Sequence, residues 1–128
     1  MANSISLTGK NSFVATDTGI NKELFNFSIN LNNSITSEAV LSGEVNLVDD
    51  TPVVINQKTP GIGHYIYVEV VDDPSNVGVT MMYGSTPIST MYLGEIMFLK
   101  LRNTSDIKLK QNVTGAQSTT AKYFLIEW

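Results

Sequence analysis

The chain has 128 residues, about one domain's worth, long enough to bury a core without disulfides or a metal. Hydrophobic residues make up 42% and charged residues only 16%, below the roughly 25% usual for soluble domains, so Ser, Thr and Asn cover much of the surface. Eight basic against twelve acidic side chains give a net charge of −4, which offers no source of phosphate attraction, and the lack of cysteine excludes a disulfide framework and thiolate chemistry.

A neutral polar surface of this kind suits an ordinary β-sandwich. It also suits a subunit of a large assembly, because charge is depleted at interface cores. Nucleic acid is not an expected partner. Met1 to Lys10 has no basic region followed by an apolar core, and no run of about 18 apolar residues occurs anywhere, so neither a secretory leader nor a membrane span is expected. Synthesis in the cytoplasm follows from that expectation.

Met1 to Thr18 carries two weak alternations, Ile5 with Leu7 and Phe13 with Ala15, broken by Gly9, Lys10 and Asn11. Residues 1–18 therefore read as an edge strand or an extended arm. Asn21 to Glu23 has room for one helical turn. Phe25, Phe27, Ile29 and Leu31 alternate with Asn26, Ser28 and Asn30, the pattern of a half-buried strand, and Asn32 to Ser34 reads as the turn that ends it. Ala39, Leu41, Val45 and Leu47 share a parity with Gly43, which suggests a bulge or a tight approach of backbone; a short helix over Ser37 to Leu41 is the rival.

Val53 to Ile55 is a short apolar strand, and Asn56 to Gly63 is the best long loop in the chain. From His64 to Tyr83 the alternation is clearest. Ile66, Val68 and Val70 fall on one face, Tyr65, Tyr67 and Glu69 on the other. Asp72 to Asn76 stop that strand, and Val77, Val79 and Met81 begin a second, expected to fold back on the first as a hairpin. Gly84 to Pro87 form a turn, Ile88 to Leu93 a strand, and Ile96 to Leu101 a strand apolar on both parities, hence expected to be central. Ile107 and Leu109 point inward from a strand whose Asp106, Lys108 and Lys110 point outward. After the polar loop from Asn112 to Thr120, the last strand sets Ala121, Tyr123 and Leu125 against Lys122, Phe124 and Ile126.

About nine or ten short strands, with turn signals every 8 to 12 residues or so, predict an all-β fold: an antiparallel β-sandwich, jelly-roll-like, forming a single domain over residues 1–128. No helical pattern alternates with the strands, which excludes a parallel α/β sheet.

Little in the chain is equipped for catalysis. His64 is the one histidine, and no Gly-x-Ser-x-Gly elbow accompanies it, so no catalytic residue is assigned and a non-enzymatic protein is expected. Zinc would need three or four His, Cys or carboxylate ligands at close spacing. Asp49 with Asp50 and Asp72 with Asp73 sit at strand ends, where calcium ligands are often found, but they lack the loop spacing of a calcium motif and Asp is a common turn former. No metal and no cofactor are assigned. Glu38, Glu44, Glu69, Glu95 and Glu127 fall on or beside strands and would have to meet in pairs to cleave a glycoside.

Exposed aromatics would serve a lectin-like site, and Tyr65, Tyr67, Tyr83, Tyr92 and Trp128 are the candidates, with core or strand-face packing as the plainer role. Met81, Met82, Met91 and Met97 crowd one region, filling core gaps or an interface. Tyr65, Tyr67 and Met82 form the candidate interaction surface, because each lies opposite the apolar parity of its strand.

From Tyr65 to Glu127, about half of the chain, the order of features is a tyrosine-rich strand, a turn, a valine-rich strand, YLGEIMFLKL, the polar strand DIKLK and a final TAKYFLIEW. This half resembles small β-sandwich proteins of tailed-bacteriophage virions, and Leu93, Gly94 and Glu95 look like the turn that precedes a buried strand in them. The resemblance implies a virion structural protein made in the host cytoplasm: a capsid decoration or auxiliary head protein, or a small tail or fibre component, bound as a homo-oligomer to capsid or tail subunits. It transfers no catalytic residues. A carbohydrate-binding β-sandwich module is the alternative.

Overall fold

The computed structural model describes residues 3–37, 40–55, 62–103 and 105–127, all strand, turn or loop with no helix among them. They divide into two compact units, Met1–Ser37 and Glu38–Trp128. The sandwich expected across residues 1–128 lies within the second, and the first forms a sheet of its own.

In the first unit, β1 (Asn3–Asp17) and β2 (Lys22–Ser37) make a long antiparallel ribbon with a bulge between Ala15 and Thr16. The chain reverses at Thr18–Asn21 because the Asp17 Oδ1 accepts the Gly19 N–H at 2.9 Å and Asn21 takes a left-handed φ of 53°, so the helical turn expected at Asn21–Glu23 gives way to a hairpin turn. The turn expected at Asn32–Ser34 is likewise absent. Those residues pair with Thr8, Leu7 and Ser6, and a continuous ladder outweighs the local turn preference of asparagine. No described side chain of this unit is buried. Phe25, expected on a core face, is 50% exposed, and the side chains of Phe27, Ile29 and Leu31 lie outside the described residues.

The described residues of the second unit form eight strands in four nested antiparallel pairs. Outermost are β3 (Val40–Leu47) and β10 (Thr119–Glu127), then β4 (Val53–Val54) and β9 (Ile107–Gln111), β5 (Ile62–Asp72) and β8 (Ile96–Asn103), and innermost β6 (Val79–Tyr83) and β7 (Thr86–Met91). All four are nested about one tip at Gly84–Ser85. Two further pairings, β10 with β5 and β9 with β6, roll this double ribbon into two four-stranded sheets of order β3-β10-β5-β8 and β4-β9-β6-β7. That is the jelly-roll arrangement of a β-sandwich.

The core lies between the sheets. Leu47, Ile66, Val68, Val70, Ala121 and Leu125 from one meet Ile55, Val79, Met81, Met91, Ile107 and Leu109 from the other, all buried and all in one cluster. The alternations at Ile66–Val70, Ile107–Leu109 and Ala121–Leu125 thus face inward as their parity demands. Fully burying each Val, Leu or Ile contributes roughly 1.5–3 kcal/mol, which is why these positions hold register. Met81 and Met91 are core, and Met97 packs against it.

Three expectations are corrected by this topology. The runs at Ile62–Asp72 and Val79–Tyr83 are not a hairpin: β5 and β6 belong to opposite sheets, joined by an arch. Asp73 builds it, its buried carboxylate accepting from Val77 N–H (3.1 Å), Gly78 N–H (2.9 Å) and the Thr119 hydroxyl (3.3 Å). Gly78 has φ +78°, and a Cβ there would lie 3.0 Å from the Met91 carbonyl oxygen, so only glycine fits the bend. Second, β8 is an edge strand rather than a central one; its second apolar parity faces outward, with Ile96 56% and Phe98 48% exposed. Third, Gly43 marks no bulge, since β3 pairs with β10 without a register shift; a Cβ there would sit 3.2 Å from the Tyr123 hydroxyl, so the close approach is to a ring. Val40 onward is strand, not helix, and most of the Asn56–Gly63 loop lies outside the described residues.

Candidate interaction surface

The outer face of the β3-β10-β5-β8 sheet is built by register. Cross-strand pairing puts Tyr67 of β5 between Phe98 of β8 and Phe124 of β10, and Tyr65 between Lys100 and Ile126. The Tyr65 and Phe98 rings stack at 6.1 Å and 24°, and Tyr67 meets Phe124 edge-on at 6.0 Å and 63°. Two ammonium groups lie against this row, Lys100 Nζ 5.3 Å from the Tyr65 ring centre and Lys122 Nζ 5.7 Å from that of Phe124. The result is an aromatic strip with cations along it and its most open part, Ile96 and Phe98, at the β8 edge.

Tyr67 donates its hydroxyl to Glu69 Oε2 at 2.5 Å. That hydrogen bond holds the phenol pKa above its ordinary value, helped by desolvation and then by repulsion from the Glu69 charge.

The three residues expected to form one surface do not meet. Tyr67 is half-buried on this face, while Tyr65, on the same face, is 6% exposed and covered by its neighbours. Met82 points away from the core on the opposite sheet, where it pairs with Lys108 and Pro87. Ile96, Phe98 and Phe124 lie outside the surface expected from sequence. The doubled apolar parity of IMFLKL is the signal for Ile96 and Phe98, and for Phe124 it is an aromatic opposite the inward parity of the last strand.

A second polar cluster lies under the arch. Gln111 is buried and its Nε2 donates to the Gln117 carbonyl oxygen (2.6 Å) and the Thr119 hydroxyl (2.9 Å), whereas its Oε1 has no protein partner. The Thr80 hydroxyl pairs with those of Thr90 and with Asn112 Oδ1, and Asn112 Nδ2 donates to the Val77 carbonyl oxygen. These bonds tie the arch to β9 and β10.

Three of the four acidic residues considered as calcium ligands are spent on the chain itself, and the fourth, Asp72, is exposed at the end of β5. Asp49 Oδ1 accepts the Gly115 N–H at 3.0 Å, Asp50 pairs with Lys110 at 2.8 Å, and Asp73 holds the arch. Among the described residues no three His, Cys, Asp or Glu side chains gather as a metal site. The side chains of His64, Glu38 and Glu127 lie outside the described residues, as does Trp128.

Comparison with known proteins names no family for the chain. No protein-family model matches the chain, and no curated protein matches it. Among solved structures, one described as "Bacillus endospore appendages form a novel family of disulfide-linked pili" is similar over 70% of this chain and 87% of that chain, with a TM-score of 0.46 and 16% identity.

Proposed function

We propose that the protein is a non-enzymatic structural subunit that works within a homo-oligomeric assembly, and that the assembly is a tailed-bacteriophage virion carrying it as a capsid decoration or auxiliary head protein. The observation that carries the reading is the amount of large apolar side chain left open. Phe13, Val14, Ile20, Leu24 and Phe25 are exposed on the ribbon, and Ile96, Phe98 and Phe124 on the sandwich. On the sandwich Phe98 and Phe124 flank Tyr67 on one sheet face with Ile96 two positions along β8, and apolar surface gathered in this way marks contact with another macromolecule. The virion as the setting comes from the resemblance of Tyr65–Glu127, and jelly rolls are frequent in capsids, which is an analogy of fold. Sedimentation equilibrium of the chain, with co-sedimentation on assembled capsids, tests both parts. A species monomeric at every concentration that pellets with no capsid would sink the proposal.

Carbohydrate binding is the second reading, favoured by the aromatic strip with Glu69 and two lysines beside it. It predicts glycan retention that Tyr67→Ala abolishes, and silence across a broad glycan array removes it.

A further inference from the structure

Among the described residues the sandwich has four strand edges, and three are poor templates for another strand. β4 is two residues long. β7 contains Pro87 and sits across from a register shift at Met81–Met82. β3 turns Ser42, Glu44 and Asn46 outward, all exposed. Short length, proline and irregular register each block strand addition, and the polar outward row of β3 gives a second strand no apolar surface to cover.

β8 is different. It pairs with β5 over eight residues without a register shift, and from Ile96 to Leu99 it has neither a charge nor a proline. Its outward side chains are divided along its length: Ile96 and Phe98 come first, Lys100 and Arg102 follow, and all four are exposed.

That division decides the partner. We infer that the open edge of β8 pairs antiparallel with β8 of a second copy of this chain, with Leu99 at the two-fold axis, an inference that rests on the assembly reading above. In this register Phe98 of each copy lies opposite Lys100 of the other, and Ile96 opposite Arg102. Aliphatic stems then cover the open apolar surface and an ammonium meets a ring, the contact the chain already makes twice, at Lys100 with Tyr65 and Lys122 with Phe124. Parallel pairing in register would set Lys100 beside Lys100 and Arg102 beside Arg102, which is repulsive. An acidic partner would satisfy the cationic half and leave Ile96 and Phe98 uncovered. The pairing joins two outer faces into one eight-stranded sheet, and it is isologous, so it closes as a dimer that can then occupy a larger lattice.

The absence of cysteine makes a clean test. Full-length Phe98→Cys and Lys100→Cys chains are mixed and oxidised. A covalent dimer is expected from the mixture and not from either alone, because opposed residues lie within the reach of a disulfide while the like pairs are offset by two positions, beyond about 7 Å. In parallel, Phe98→Lys, which sets lysine opposite lysine, is expected to shift the species from twice the chain mass to once, with its far-ultraviolet circular dichroism retained because position 98 is half exposed; its melting temperature should fall and lose its dependence on concentration as the association is lost.

An oligomer that keeps its mass in Phe98→Lys and gives no mixed disulfide overturns the β8 interface and leaves the assembly reading standing. A wild-type chain monomeric at every concentration overturns both. A monomer whose glycan binding is lost in Phe98→Lys assigns the strip to sugar instead.

Discussion

The two units of this protein are variations on one device, a long antiparallel double ribbon reversed at a single turn. Residues 3–37 form such a ribbon and bury none of their described side chains, whereas residues 40–127 form another that rolls over and buries twelve hydrophobic residues against themselves. Hydrogen-bond ladders are common to both, so the ladder is not what distinguishes them. What differs is a second pairing for β5, β6, β9 and β10, which turns two strands into four and gives each sheet a face to cover. An isolated two-stranded hairpin is marginal in water, and stability arrives with the third strand and the apolar face.

Hydrogen exchange of the isolated chain gives the largest expected contrast. Amides around Val14 and Phe25 should exchange at least about 10³-fold faster than those of Val68 and Leu125, because local opening of the ribbon costs little while the sandwich amides wait for global unfolding. Equal protection would break the comparison and show that something covers the ribbon. Next comes a pair of truncations read by thermal melting: Leu109→Ala, fully buried, should destabilise by about 3 kcal/mol, and Phe25→Ala, half exposed, by no more than about 0.5 kcal/mol.

Asp73→Ala sharpens the comparison at the arch that carries the rolled ribbon from one sheet to the other. It leaves the Val77 and Gly78 amides and the Thr119 hydroxyl without their acceptor and should cost about 2 kcal/mol by denaturant titration. The smallest effect lies on the outer face. Tyr67 should ionise above the ordinary tyrosine value of about 10 in an ultraviolet titration, and Glu69→Gln should lower its midpoint toward that value. The sign follows from a folded-state pKa raised above the unfolded one: this contribution to stability is complete below the ordinary tyrosine pKa and is lost as the pH rises through Tyr67's own.

Side-chain parity made part of this legible in the sequence. Ile66, Val68 and Val70, then Ile107 and Leu109, then Ala121 and Leu125 were readable as inward-facing because one-sided burial imposes a period of two. Parity is blind, however, to what lies at a strand's flanks. The doubled apolar pattern of Ile96–Leu101 suited a central strand, yet β8 is an edge, and its second apolar face is Ile96 and Phe98 turned outward. The same blindness hid the arch, since Val68 and Met81 face the core whether their strands pair side by side or stack across it. At the outer face Tyr67 could be read from its own strand, while Phe98 and Phe124 arrive from strands 31 and 57 positions away through a register set by the roll. Met82 shares their outward parity and lies on the other sheet.

Nesting about Gly84–Ser85 also imposes an order in time. Every pair joins a segment made before the tip to one made after it, so the emerging chain can close β6 on β7 early, while β3 waits for β10. Leu47, Ile66 and Val68 therefore leave the ribosome well before their cover exists. The strand synthesised last of the eight becomes an interior strand of its sheet, and until it threads between β3 and β5 those two share no ladder at all.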